Sequence, residues 1–173
     1  MVKWGRESGR GVEARSQALP NCQIALFWYN RDMPLSLSPH QFSEAMDIVK
    51  TSRGLIKGDD ARTVFRAANI RSWPMEDSPV GSGRAYGIES EGGVTSDEVL
   101  HTSQGHLHGP TIRKYMQDGG VPEEDPHNEG RKYLPEVLTS ARGHKWIDEG
   151  HHRLVASRLR GDFGTEIYEG YLK

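Results

Sequence analysis

Residues 145–161 read KWIDEGHHRLVASRLRG, and the fold is decided in this stretch. Lys145 to Asp148 is a short strand candidate and Gly150 a turn residue. From His151 onward Leu154, Val155 and Leu159 share one helical face, and Gly161 supplies the stop. A helix entered through glycine lets the backbone approach a ligand, and its first turn carries free N–H groups and partial positive charge. Such a place attracts anions, and His151, His152 and Arg153 add side-chain donors to it. Arg153 is suited to grip phosphate oxygens in a fork, and either histidine to donate or move a proton near neutral pH. Glu149, with Asp148 beside it, would anchor a divalent cation such as Mg2+ or accept a proton. An alternative stands beside this: Glu149 caps the helix, Arg153 forms a surface ion pair and the histidines face water.

Working outward, Glu136 to Thr139 pairs with the second strand as a hairpin, with Ser140 to His144 as the loop and Gly143 as its turn residue. Thr165 to Glu169 is a last strand. Upstream, Gly109 and Pro110 open a helix with Ile112, Tyr115 and Met116 on one face, stopped at Gly119 and Gly120, and a polar loop follows through Pro122, Asp125 and Pro126. The order helix, strand, turn, strand, helix, strand is an α+β unit: a small mixed β-sheet with flanking helices.

The N-terminal half reads as a helical and irregular extension. Residues 1–20 form a polar arm, and Ile24 to Tyr29 is an apolar run of strand length. Ser38, Pro39 and Gln41 make a capping box ahead of Phe42, Ala45, Met46 and Val49 at helical spacing. A second helix from Asp59 or Asp60 buries Ala61, Val64, Phe65 and Ala68. From Met75 to Gly93 no periodicity survives, and the glycines at 81–83 and 92–93 suggest a linker. The expected division is an arm to residue 20, an extension over 21–94 and a domain over 95–173.

Composition bounds the function. The 173 residues carry 22 basic and 24 acidic side chains, a net charge of -2, so no global field draws the chain to nucleic acid or an anionic membrane. Hydrophobic residues make up 35%, and 20 glycines with 9 prolines imply long connections. The single Cys22 rules out an internal disulfide framework and suits a reducing, cytoplasmic setting. No segment has the roughly 18 apolar residues needed to span a bilayer, so a soluble protein without a membrane partner is expected. His101, His106, His108, His151 and His152 are numerous enough to hold a divalent metal, but their spacing matches no zinc motif, and zinc is not expected. Arg142, Lys145, Arg158 and Arg160 form either a local basic surface for a nucleic-acid backbone or an ordinary solvated face. Trp28, Trp73 and Trp146 read as core or loop anchors.

The segment from the Pro-Glu-Val-Leu strand to Glu166-Ile167-Tyr168 resembles the ParB/sulfiredoxin superfamily. Its phage and plasmid members end the corresponding strand in Asp-Gly-His-His-Arg, matched here by Gly150, His151, His152 and Arg153, with Ala156 and the closing Gly161 following. Thr102 and Gln104, within His101-Thr102-Ser103-Gln104, look like the Thr-Gln element that precedes the hairpin in those relatives, so the likeness covers roughly residues 97–170. It implies that Gly150, His151, His152 and Arg153, with Thr102 and Gln104, cradle the phosphate of a nucleotide or nucleic acid. Gln104 and His106 would face Gly150 across a cleft, or Gln104 would simply cap the next helix. It also implies Mg2+ held at Glu149, a nucleoside di- or triphosphate as ligand, and nuclease or phosphotransferase chemistry by Glu149, His151, His152 and Arg153. A non-enzymatic nucleotide- or DNA-binding accessory module of a phage or plasmid is the alternative, with a second copy or a phage assembly protein as open partners. Glu149 stands where relatives carry aspartate, and His151 where sulfiredoxins carry their reactive cysteine, which leaves sulfur chemistry without its nucleophile. About a dozen residues follow Gly161, so a stand-alone member, bacterial or phage-encoded, is expected.

Overall fold

The structure, a computed structural model, describes residues 37–80, 86–119, 130 and 132–172. Four helices flank a mixed sheet: α1 (Pro39–Thr51), α2 (Gly58–Ala67), α3 (Gly109–Gln117) and α4 (His151–Arg160). The strands are β1 (Leu55–Lys57), β2 (Ile70–Ser72), β3 (Tyr86–Thr95), β4 (Leu100–Thr102), β5 (His106–His108), β6 (Glu136–Thr139), β7 (Lys145–Glu149) and β8 (Gly164–Leu172). Six of them form one sheet in the order β2-β4-β7-β6-β8-β3, and β1 pairs with β5 separately. β2, β4 and β7 run parallel, so their carboxyl ends share one edge, where α/β sheets place ligands. β6 is antiparallel to β7 and parallel to β8.

Local chemistry accounts for the helices. Ser38 Oγ accepts from the Gln41 amide and Gln41 Oε1 from the Ser38 amide, closing the capping box that starts α1. α2 has Asp59 and Asp60 in its first turn and buries Ala61, Val64 and Phe65 against α1. One hydrophobic core joins Val49, Phe65, Leu100, Ile112, Leu154 and Ile167, residues drawn from both halves of the chain. Neighbouring strand residues alternate between the two faces of the sheet. Val137 and Ile147, which are register partners, therefore belong to this core, while the next pair, Leu138 and Trp146, is buried on the other face.

Two expectations are corrected. The boundary near residue 94 falls inside β3, which pairs with β8 from Tyr86 opposite Leu172 to Thr95 opposite Gly164. Residues from α1 onward are therefore part of the same core and sheet, not a separate extension. Glycines hid this strand, because Gly92 and Gly93 contribute ladder hydrogen bonds without the side chains that make a periodic pattern. β1, β2, β4 and β5 escaped notice because three residues are too few to show alternation. The arm, Ile24 to Tyr29, the glycines at 81–83 and the loop from Pro122 to Pro126 lie outside the described residues. No helix among the described residues is long and apolar enough to cross a membrane.

Candidate oxyanion site

β7 hands over to α4 at Gly150, which caps the helix in the left-handed region with φ 81° and ψ 21°. A Cβ placed here would sit 2.6 Å from Cβ of Pro135. The glycine is thus required by close packing against the chain's own proline and by its positive φ, rather than by a ligand's approach. The Arg153 and Leu154 amides both donate to the Gly150 carbonyl at 3.0 Å, and those of His151 and His152 have no backbone acceptor among the described residues.

Arg153 is the centre of the site. It is only 4% exposed, and its guanidinium lies over the rings of Tyr115 at 5.0 Å and Tyr133 at 4.8 Å. Its Nε and Nη2 are buried and have no hydrogen-bond partner among the described residues. Those two atoms form one edge of the guanidinium, where parallel N–H bonds match the two oxygens of an oxyanion. A buried unpaired donor costs about 1–3 kcal/mol and a charged one more, whereas cation–π contacts return about 0.5–2 kcal/mol. The arrangement is costly unless an acceptor arrives. The surface ion pair weighed above is not what Arg153 makes.

Beside the guanidinium is a cavity of about 120 Å3 lined by Thr111, Tyr115, Tyr133, Glu149, His152 and Arg153. Pockets for whole small molecules run to roughly 300–1,000 Å3, so this one suits a single anionic group. His152 lines it, and its Nε2 accepts the His108 amide hydrogen at 2.9 Å. Burial, then the nearby His108 and His106, hold the His152 ring below the usual histidine range. A neutral ring with Nε2 as acceptor carries its proton on Nδ1, which leaves His152 a ring donor beside the cavity it lines. Glu149 is exposed at the rim.

The other expected site residues lie elsewhere. His151 is 8% exposed and does not line the cavity; burial, with smaller contributions from His152 and His106, pushes it down to about 4. Thr102 is fully buried in β4, where its Oγ1 accepts from the Gln104 amide at 2.9 Å. Gln104 Nε2 donates to the His106 carbonyl at 2.6 Å, and its side chain lines a different cavity with Trp73, Met75 and Ser103. Thr102 and Gln104 therefore organise their own turn instead of meeting Arg153. His101 accepts from Trp73 Nε1 at 2.8 Å and stacks on His144, away from the other histidines. Among the described residues no group of three or more His, Cys, Asp or Glu is placed to hold a metal.

The local basic surface does not form. Arg158 is buried and donates to the carbonyls of Ala68, Asn69 and Thr95 at 2.9–3.1 Å. Arg160 binds Asp162 and the carbonyls of Tyr115 and Gly119, and Lys145 pairs with Glu98 at 2.7 Å. Of the four cations, only Arg142 is exposed. Sequence reasoning missed Thr111, Tyr115 and Tyr133 as site residues. Thr111 and Tyr115 sit on one helix at i and i+4, but without the fold nothing marks which helix meets Arg153. Compared with protein-family models, curated proteins and solved structures, the chain matched none.

Proposed function

We propose that this chain is a ParB-like phosphate-binding protein that receives the phosphate of a nucleotide or nucleic acid on the free edge of Arg153. The observation that carries this reading is the buried guanidinium with Nε and Nη2 unpartnered, at a helix N-terminus and beside a cavity of the right size. His152 Nδ1–H and the amides of the first turn supply further donors.

Binding is better supported than catalysis. His152 has its Nε2 engaged by a backbone amide and His151 is off the cavity, so neither is placed to move a proton to a ligand there. Glu149 is the remaining candidate. Mg2+ is commonly held by one or two carboxylates together with substrate phosphates. Glu149, the one described carboxylate at this cavity, suits a cation that arrives with the ligand, and such a cation would neutralise phosphate charge there.

Thermal shift with inorganic phosphate, nucleotides and oligonucleotides, each with and without Mg2+, tests the reading. A ligand at 100 times its Kd adds about 2.7 kcal/mol of stability. Phosphate-bearing ligands are expected to stabilise the wild type and not Arg153→Met; equal effects on both would refute it. Glu149→Gln separates the readings: unchanged binding with any turnover lost identifies an enzyme, and absence of turnover in the wild type identifies a binding module.

A further inference from the structure

We propose that the cavity accepts a terminal phosphoryl group, end-on, and that Thr111, held by His108, is a further ligand-contacting residue. This rests on the phosphate reading above and narrows it from any phosphate to a phosphomonoester or a nucleotide's last phosphate.

The donors come first. Arg153 offers Nε–H and Nη2–H to two oxygens, and His152 offers Nδ1–H. Thr111, on α3, lines the same cavity, and its Oγ1 lies 2.7 Å from His108 Nδ1. In the tautomer that carries the proton on His108 Nδ1, Thr111 is the acceptor of that contact and its own proton is left for the ligand. His108 thus sets two ligand-facing groups: its backbone amide fixes the tautomer of His152, and its ring orients the hydroxyl of Thr111. The set amounts to two donors from one planar edge and two more from other directions. A terminal phosphoryl group turns three free oxygens toward donors that come from several directions, and an internal phosphodiester turns two.

Access gives the second argument. An internal phosphodiester enters with substituents on two sides, whereas a terminal phosphoryl group enters with one. A recess of about 120 Å3 beside a guanidinium that is 4% exposed accommodates the second more readily.

The surroundings give the third. A nucleic-acid strand held along its length needs a succession of cations for successive phosphates. Here Arg158, Arg160 and Lys145 are engaged by carbonyls and carboxylates, and the charged group at the rim is Glu149. Among the described residues one phosphate is provided for, and its neighbours are not.

The test compares a 5′-phosphorylated single-stranded oligonucleotide, its unphosphorylated twin and inorganic phosphate, by calorimetry, on wild type, Arg153→Met, Thr111→Val, Thr111→Ser and His108→Ala. The phosphorylated strand is expected to bind at least about tenfold more tightly than its twin, a step of 1.4 kcal/mol. Thr111→Val and His108→Ala are expected to lose about ten- to a hundredfold for phosphate, and Thr111→Ser to recover to within about twofold of wild type, because a hydrogen bond to a charged group is worth about that much. Recovery by serine is a readout that a purely structural threonine does not give. Equal affinity for both strands, abolished in each case by Arg153→Met, overturns the end-on proposal while the phosphate site stands. Wild-type affinity in both Thr111→Val and His108→Ala overturns the Thr111 assignment. Failure of every phosphate-bearing probe, inorganic phosphate included, removes the phosphate site itself and this proposal with it.

Discussion

Replacing Arg153 by methionine separates the cost of the site from its use. Methionine keeps most of the aliphatic stem and fits between Tyr115 and Tyr133, but it removes a guanidinium whose Nε and Nη2 are buried and unpaired. Two buried donors without acceptors cost about 2–4 kcal/mol at the lower values for such groups, and two partly desolvated cation–π contacts return about 1–3 kcal/mol. The difference predicts that ligand-free Arg153→Met is as stable as the wild type or more stable by about 1–2 kcal/mol, although a fully buried residue has been changed. Urea unfolding in phosphate- and sulfate-free buffer, followed by far-UV circular dichroism, measures this, with an unchanged m-value required for a simple comparison. In a chain of 173 residues that gain corresponds to a rise in Tm of about 2–8 °C. Saturating phosphate then reverses the ranking, because only the wild type is stabilised by ligand. A loss of more than about 2 kcal/mol without ligand refutes the reasoning: the guanidinium would then have its acceptors inside the protein and would not be waiting for one.

Other perturbations have equally definite outcomes. His151 has a folded value of about 4 against 6.5 when unfolded, so between those values the unfolded chain binds more protons. Its stabilising contribution is complete above pH 6.5 and is lost as pH falls toward 4, by up to about 3 kcal/mol at 1.4 kcal/mol per pH unit. Wild type and His151→Phe should therefore diverge in stability across that window, and parallel curves would refute the assignment. Arg158→Met should destabilise by about 3–4 kcal/mol, since it strips donors from the carbonyls of Ala68, Asn69 and Thr95; a change under about 1 kcal/mol in chemical unfolding would show those contacts to be dispensable. Gly150→Ala should cost about 3 kcal/mol or more from its φ of 81° and the 2.6 Å approach to Pro135, and a near-neutral effect would mean that the turn relaxes freely.

Much of the fold was legible where a residue's chemistry acts on its immediate neighbours. The capping box at Ser38, the hairpin of β6 and β7 and the glycine-bounded α4 depend on residues within a few positions of one another. The sheet was less legible because its decisive pairings span long separations. β3 rests on Gly92 and Gly93 opposite Ile167 and Glu166, and a glycine in sequence signals a turn as readily as a close strand. The site divided in the same way. Gly150, His152 and Arg153 are neighbours at the junction and could be read together, whereas Tyr133 joins the cavity lining from an irregular segment before β6 and Thr111 from α3. Thr102 and Gln104 were drawn in by resemblance, and their hydrogen bonds turn out to be short-range, from side chain to neighbouring backbone.

The three arginines of α4 provide an internal comparison. Arg158 lies deep in the fold, and the chain brings three backbone carbonyls to it. Arg160 is half-buried, and it receives a carboxylate from Asp162 and carbonyls from Tyr115 and Gly119. The same helix thus shows that this sequence can surround a guanidinium with acceptors when its charge serves the fold. At Arg153, two turns nearer the helix start, it supplies two aromatic faces, and among the described residues one whole edge has no acceptor. A net absence of acceptors at one arginine among three is not a general looseness of packing, because Leu154 and Val155 beside it are fully buried. The unpaired edge also sits at the end of the helix where the backbone favours negative charge. Side chain and helix end therefore make the same demand, and that shared demand is what the proposed oxyanion ligand would meet.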